Sequence, residues 1–361
     1  MEQQKDTMAM LDLLIRPAFC IKDGVIVRIN KAAEGLALEH GTPIADLLAT
    51  GQEEYQEFTD GCLYLTLTLS GAVRSASVIR MDGFDVFILE EGAEQAELKA
   101  MALAAQSLRE PLSGIMTVAD SLFPAIESVG SPALSEQVSR INRSLFQMLR
   151  ILGNMSDADR YQNSPAYHHE VRDITALFQD QFDRITSKVA QAGIDIRFTN
   201  LNQSLYCQVD AEKLERAVYN IISNAIKFTP EGGLIEATLV RRGFKLYFTV
   251  QDSGRGIPEN LRSSVYSRFL RQPSLEDGRQ GIGLGMVLIR AAATAHGGTV
   301  LIEQPAHQGM RITMTLSIRQ NKNGVLRSPI LNVDYAGEWD HSLIELSDSL
   351  PAELYRQDSK S

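Results

Sequence analysis

Four short stretches in the second half of the chain carry side chains suited to holding a phosphorylated ligand. The first, NIISNAIKF, places Asn220 and Asn224 four residues apart, so both lie on one face of a helix. The carboxamide oxygen of Asn224 is a neutral ligand that suits Mg²⁺, a hard cation that favours oxygen. Lys227 follows with a point charge that suits phosphate oxygens. Taken alone, this stretch is equally typical of a polar helix whose asparagines face solvent.

The second stretch, VQDSGRGIP, follows a predicted strand that ends at Asp252. The Asp252 carboxylate only accepts hydrogen bonds, which suits the exocyclic amine of an adenine base. Gly254 and Gly256 allow the backbone to bend so closely that a flat base could lie against it. By itself, this spacing is as typical of a plain turn as of a binding site.

The remaining two stretches offer groups for a phosphate chain. VYSRFLR supplies Arg268 and Arg271, whose charges would reach a terminal phosphate, with Phe269 as a packing residue. GIGLGMVLI precedes an apolar helical run, and its glycines are Gly281, Gly283 and Gly285. Glycines in this position let backbone N–H groups at a helix N-terminus meet phosphate oxygens, aided by the helix dipole. Their spacing differs from both the Walker and the dinucleotide-binding motifs.

In this order, the four stretches resemble the N, G1, F and G2 boxes of the ATP-binding domain of sensor histidine kinases. The wider family also includes gyrase, the Hsp90 chaperones and MutL. The resemblance covers residues 168–320 and implies a Bergerat-type α/β sandwich that binds ATP with Mg²⁺. It implies that the nucleotide-binding residues are Asn220, Asn224, Lys227, Asp252, Gly254, Gly256, Gly281, Gly283 and Gly285. It implies catalytic roles for Asn220, Lys227, Arg268 and Arg271, and a metal-binding role for Asn224.

The stretch AAQSLREPL, residues 104–112, resembles the start of the dimerisation hairpin of the same kinases, whose motif is similar to H-E-L-R-T-P-L. The matching residues are Leu108, Arg109, Pro111 and Leu112. Gln106 stands where that family has its phospho-accepting histidine, and Ser107 and Glu110 also depart from the motif. A glutamine amide cannot replace the imidazole nucleophile, because its lone pair is delocalised. We therefore predict a degenerate acceptor position in a hairpin retained for dimerisation or docking.

The elements that must position these groups are predicted from periodicity. Residues 94–161 have the pattern of two long amphipathic helices with a break at Ser131-Pro132. Each helix has one apolar stripe, and a hairpin alone cannot bury both stripes, so we predict a homodimeric four-helix bundle. A monomeric hairpin packed on neighbouring parts of the chain is the alternative.

Residues 8–92 contain short β-branched and aromatic runs broken by Asp-Gly and Ser-Gly pairs, a pattern typical of an antiparallel sheet. With Asn30 and the two alanines after Lys31, this region resembles a PAS domain; a structural dimerising module is the alternative. Residues 321–361 form a C-terminal tail with Trp339 and an apolar cluster, which predicts docking. The predicted fold class is α+β: a PAS-like antiparallel sheet, a dimeric helical hairpin and an α/β sandwich.

Composition narrows the choice of partners and location. The 361 residues carry a formal net charge of −10 without a basic patch, which argues against a nucleic-acid partner. The three cysteines lie far apart, so they form neither a disulfide framework nor a zinc motif. No apolar run approaches the roughly 18 to 20 residues of a membrane span, so we predict no membrane span and a cytoplasmic location.

Three functions remain open at this level. The chain could transfer phosphate in trans, for example to the histidine of a paired subunit or to a serine. Alternatively, it could bind ATP without transfer, as a scaffold or regulator of a two-component pathway. A pure interaction module with a relic pocket is disfavoured by the four intact boxes. The implied partners are a second copy of the chain and a response regulator or partner kinase. Whether the chain is an enzyme is left open by its sequence.

Overall fold

The computed structural model describes residues 11–81, 83–90, 93–163, 170–256, 284–305, 309–318 and 340–356. The fold is α+β, as predicted, and consists of an N-terminal sheet region, a helical hairpin and a C-terminal α/β region. Among the helices of these described ranges, none combines the length and the apolar character that crossing a membrane requires.

The N-terminal region is an antiparallel sheet with short helices on one connection. Its strands are β1 (Ala18–Lys22), β2 (Val25–Ile29), β3 (Cys62–Leu69), β4 (Ala72–Met81) and β5 (Phe84–Leu89), in the order β2-β1-β5-β4-β3. The helices α1 (Ile44–Leu47) and α2 (Gln52–Glu57) lie between β2 and β3. Asp23-Gly24 and Ser70-Gly71 both have positive φ at each residue, which two-residue hairpin turns require. The turn pairs in the sequence therefore close the β1–β2 and β3–β4 hairpins.

Two long helices form the hairpin, α3 (Ala93–Glu127) and α4 (Pro132–Asn163). The helix α4 begins at Pro132, at the predicted break, where a proline costs little because its missing N–H would be unpaired anyway. The side chains buried on the inner side of the hairpin include Ala105, Leu112, Ala119, Phe123, Leu145, Leu149 and Leu152. A second apolar row on α3 stays more than half-exposed, at Leu108, Ile115, Val118 and Leu122.

The C-terminal region alternates strands and helices. Its elements are β6 (Glu170–Asp173), α5 (Ile174–Gln191), β7 (Asp195–Asn200), β8 (Tyr206–Val209), α6 (Ala211–Phe228), β9 (Leu234–Arg242), β10 (Lys245–Asp252), α7 (Leu284–Ala295), β11 (Val300–Glu303) and β12 (Arg311–Ser317). The strands β11-β12-β10-β9 are antiparallel, and β7 runs parallel to β9. Apolar residues of α5, α6 and α7 share one core with this sheet, which is the layer arrangement of an α/β sandwich.

The N-terminal and C-terminal sheets are joined into one ten-stranded sheet through β3 and β11. These strands pair antiparallel, with Cys62 opposite Ile302 and Tyr64 opposite Val300. A Cβ on Gly61 would lie 2.1 Å from the Ile302 carbonyl oxygen, so the two backbones approach closely just before the pairing begins. The sequence patterns predicted two separate sheet regions and contain no sign of this junction.

Residues 340–356, which we call the C-terminal clasp, pack against α4, α5 and α6. They contain the short helix α8 (His341–Glu345) and a 3₁₀ turn at Ala352–Tyr355, and most of their side chains are buried. Asp340 pairs with Lys188 of α5 at 2.6 Å, and Asp348 pairs with Arg150 of α4 at 2.7 Å. The clasp therefore ties the hairpin to the helix layer of the C-terminal region. Trp339 lies outside the described residues.

Candidate nucleotide site

The helix α6 carries the first box and is fixed at its N-terminus. The Asp210 side chain accepts a hydrogen bond from the Lys213 N–H at 3.2 Å and so caps the N-terminus of α6. The Asp210 N–H in turn donates to Nε2 of the buried His296 at 3.0 Å. The apolar face of α6 is buried, and its residues are Leu214, Val218, Ile221, Ile222 and Ala225. This orientation leaves Asn224 partly exposed and Lys227 exposed.

Asn220 is buried and brings the first and fourth boxes together. Its Nδ2 donates to the Arg216 carbonyl oxygen at 2.8 Å, and its Oδ1 accepts from Arg150 of the hairpin at 3.4 Å. A Cβ on Gly285 would lie 2.8 Å from the same Oδ1. A larger residue at position 285 would therefore require the Asn220 side chain to shift.

Asn224 and Lys227 are the groups of α6 that remain available for a ligand. The Asn224 side chain is partly exposed. A single neutral oxygen fits Mg²⁺, which keeps several waters and takes the remaining ligands from phosphate. Lys227 lies in the last turn of α6 and extends into solvent. The metal-binding role of Asn224 and the phosphate-binding role of Lys227 stay predictions.

Asp252 ends β10 in a buried position beside the C-terminal end of α6. Its carboxylate accepts from the Gly254 N–H at 2.8 Å. Burial raises the pKa of Asp252 above its ordinary value, an effect that backbone hydrogen bonds only partly offset. A Cβ on Gly309 would lie 1.7 Å from the Asp252 carbonyl oxygen, and Gly309 has a φ of 82°. A side chain at residue 309 would therefore collide with the Asp252 backbone.

The two glycines of the second box occupy equally crowded positions. A Cβ on Gly254 would lie 2.5 Å from the Phe228 carbonyl oxygen and 2.7 Å from Asp252 Oδ1. Gly256 has a φ of 62°, and a Cβ there would lie 2.5 Å from Gln304 Nε2. The Gly254 turn therefore lies against Phe228 at the C-terminal end of α6.

The structure brings together only part of the predicted site. Asn220, Asn224 and Lys227 share α6, Gly285 meets Asn220, and the Asp252 turn meets the end of α6. The remaining predicted site residues lie outside the described residues: Arg268, Phe269, Arg271, Gly281 and Gly283. Gln106 is exposed on α3.

Two buried arginines beside this site were missed at the sequence level. Arg150 of α4 contacts Asn220, and Arg216 of α6 pairs with Asp157 of α4 at 2.5 Å and with the buried Glu345 of the clasp. Neither arginine belongs to a motif. Only the fold of the chain brings their partners within reach.

Residues 209–320 match the family described as histidine kinase-, DNA gyrase B- and HSP90-like ATPases. All four boxes lie inside this match. The chain is 31% identical over 231 residues to the sensor histidine kinase TmoS of Ectopseudomonas mendocina, across 62% of this chain and 23% of TmoS. It is 27% identical over 264 residues to the adaptive-response sensory kinase SasA of Gloeothece citriformis, across 68% of this chain and 65% of SasA. The chain thus covers less than two thirds of the length of either relative.

Among solved structures, the mycobacterial sensor histidine kinase MprB is similar at 28% identity with a TM-score of 0.34. That match covers 42% of this chain and 98% of the MprB chain.

Proposed function

Because residues 209–320 form an ATPase domain of the histidine kinase-like family, we propose that the chain is a cytoplasmic, ATP-binding protein of two-component signalling. The observation that carries this proposal is the meeting of the boxes around α6. The buried carboxylate of Asp252 lies at the C-terminal end of this helix, and Gly285 abuts Asn220 two turns before that end. In this proposal Asp252 accepts from adenine and Gly285 faces the phosphates, and both residues lie beside α6.

The side chains divide the nucleotide between them. Asp252 accepts from the adenine amine, and the crowded turn at Gly254 offers flat backbone to the base. Asn224 holds Mg²⁺, which supplies the charge that neutralises the phosphates when it is bound. Lys227 binds phosphate oxygens as a mobile point charge. Arg268 and Arg271 remain proposed phosphate ligands on the strength of the resemblance.

The hairpin does not accept phosphate in this proposal. Gln106 has no nucleophilic nitrogen, and it occupies the exposed surface of α3 without a histidine beside it in the motif. The chain therefore acts as an ATP-gated regulator of a response regulator or of a partner kinase. Phosphate transfer in trans to such a partner is the second candidate, favoured by the kinase names of the relatives TmoS and SasA.

A homodimer through the hairpin is part of the proposal. Leu108, Ile115, Val118 and Leu122 recur at spacings of three, four and seven residues, so they form one row on α3, and 52–56% of each is exposed. Apolar rows of this kind are buried in helix bundles. A second hairpin related by a two-fold axis would cover the row.

The proposal is tested by titrating MgATP into the full chain and into Asp252→Asn, with calorimetric detection. We expect the parent to bind and the variant to lose binding, because an asparagine amide cannot offer the adenine amine a charged acceptor. Asp180→Asn is the matched control, since Asp180 is exposed on α5 away from the boxes. Equal affinity of parent and Asp252→Asn would show that the site is assigned to the wrong residue.

A second measurement addresses transfer. Incubation of the parent with γ-labelled ATP and Mg²⁺ should leave no label on the chain. Acid-labile label on the parent would show that a histidine outside the hairpin motif, or a carboxylate as an acyl phosphate, accepts the phosphoryl group, and the interpretation of Gln106 would be incomplete.

A further inference from the structure

The position of the terminal phosphate follows from the direction of α6. The base end of the site lies at Phe228, whose carbonyl oxygen faces the Gly254 turn. A helix rises about 1.5 Å per residue, so Asn224 lies about 6 Å and Asn220 about 12 Å from Phe228 along the axis. A nucleoside triphosphate with its base at Asp252 and its metal at Asn224 therefore directs its last phosphate toward Asn220.

The same end of the site is closed by the hairpin. Leu284 and Leu288 of α7 share a small apolar cluster with Ala158 and Tyr161 of α4. This packing sets α4 against the N-terminal turn of α7, next to Gly285. About two turns before Ala158 on the same helix, Arg150 reaches Asn220 of α6.

Arg150 of α4 is buried beside Asn220. Its side chain is 6% exposed; Nη1 donates to Asp348 at 2.7 Å and Nη2 to Asn220 Oδ1 at 3.4 Å. Its Nε has no hydrogen-bond partner among the described residues, although it is buried. A buried guanidinium normally uses its donors, because an unmade hydrogen bond costs free energy there. Arg150 therefore has a long hydrogen bond and an unused donor at the phosphate end of the site.

We propose that Arg150 is a further nucleotide-binding residue, which the hairpin supplies to bind the terminal phosphate of ATP. Guanidinium groups suit this role, because their planar donors match phosphate oxygens and keep their charge when buried. Asp348 of the clasp holds the guanidinium in place. The proposal rests on the proposed function, since it requires ATP to bind with its base at Asp252. In this arrangement a hairpin without an acceptor histidine still reports whether ATP or ADP is bound.

The test compares the affinities of the full chain for MgATP and MgADP, measured by calorimetry, in the parent, Arg150→Gln and Arg143→Gln. Arg143 lies on the same helix and donates to the clasp carbonyls of Ser347 at 3.0 Å and Asp348 at 3.3 Å. Arg143→Gln therefore weakens the clasp without removing the contact to Asn220. We expect Arg150→Gln to lower the affinity for ATP by about tenfold and that for ADP by less than about twofold, as loss of one charge-assisted contact to the last phosphate predicts. Arg143→Gln should leave the ratio of the two affinities unchanged.

If the ratio of ATP affinity to ADP affinity in Arg150→Gln equals that of the parent, the proposal is wrong. It is also wrong if this ratio falls as much in Arg143→Gln as in Arg150→Gln. If Arg150→Gln fails to fold by circular dichroism, Arg150→Lys replaces it. Lysine keeps the charge but loses the planar donors, so a smaller fall of the same ratio is expected, and an unchanged ratio would again contradict the proposal. Failure of the proposed function looks different, because the parent itself would then bind neither nucleotide.

Discussion

At the scale of single residues, the candidate site includes glycines at which an added Cβ would collide with a neighbouring oxygen. Gly254 lies against the end of α6, and Gly285 lies against Asn220. A Cβ on Gly254 would lie 2.5 Å from the Phe228 carbonyl oxygen, and one on Gly285 would lie 2.8 Å from Asn220 Oδ1. These glycines could be read from the sequence as a motif. Their actual role, close contact between boxes that are distant in the chain, required the coordinates, because spacing does not show which backbone lies opposite.

Gly285→Ala separates nucleotide affinity from stability. The new methyl group would lie 2.8 Å from Asn220 Oδ1, so Asn220 must move away from the phosphate end of the site. We expect a fall in ATP affinity measured by calorimetry. The free energy of unfolding should fall less than the free energy of ATP binding, because alanine is more favourable than glycine in a helix by about 1 kcal/mol.

The control for this prediction is Gly114→Ala on α3, where a Cβ would meet nothing within 4 Å. This variant gains the same helix propensity without a clash between the new methyl group and a neighbouring atom, so it should leave ATP affinity unchanged. Unaltered affinity in Gly285→Ala would mean that Asn220 does not line the nucleotide site.

At the scale of elements, the hairpin shows which structural features the sequence periodicity predicts and which it does not. The break before Pro132 and the two long helices follow from local pattern, and the structure places them as predicted. The pattern alone did not show which apolar residues pack inside the hairpin and which stay exposed. Leu112 is buried inside the hairpin, whereas Ile115 on the neighbouring face is 56% exposed. That division depends on which side α4 packs, and it leaves one row for a partner.

Ile115→Lys should convert a dimer of the full chain into a monomer, because a charge would replace the centre of the exposed apolar row. The measurement is light scattering coupled to size-exclusion chromatography. Thr117→Lys is the matched control, since Thr117 is exposed on the opposite side of α3 and should leave the dimer intact. A parent that elutes as a monomer would contradict the bundle directly.

At the scale of the whole molecule, two junctions bind the three regions together. The pairing of β3 with β11 makes one sheet of two, and Lys245 of β10 meets Glu54 of α2 at 2.9 Å across it. The clasp fastens the hairpin to the helix layer on another side, through Arg150 and Arg216. Through these two junctions the N-terminal sheet and the hairpin both contact the C-terminal region.

Gly61→Ala should loosen the sheet junction. Its Cβ would lie 2.1 Å from the Ile302 carbonyl oxygen, so β3 and β11 must separate locally. We expect faster hydrogen exchange at the backbone amides of residues 62–64 and 300–302, which pair across the junction.

Gly71→Ala serves as the control for this variant. Gly71 also has a positive φ, 77°, but a Cβ there would meet nothing within 4 Å. It introduces comparable backbone strain without touching the junction, so exchange at β11 should stay as in the parent. Equal exchange at β11 in Gly61→Ala and the parent would show that the junction does not depend on this close approach.

The sequence by itself determined what depends on near neighbours. Asp210 caps α6 by accepting from the N–H three residues later in the chain. The Asp-Gly and Ser-Gly pairs close hairpins. The four boxes predicted the ATPase family that residues 209–320 match. Each of these features is set within a few residues by backbone conformation and side-chain period. They could therefore be read without knowing the fold.

Only the tertiary structure decided which distant surfaces meet. Arg150 and Asn220 are 70 residues apart, and Arg216 and Glu345 are 129 apart, yet both pairs are in contact. The β3–β11 pairing likewise joins strands at opposite ends of the chain. Such contacts arise because burying apolar area and pairing backbone groups are collective properties of the packed chain. No local spacing encodes them, and they are what places the hairpin beside the nucleotide site.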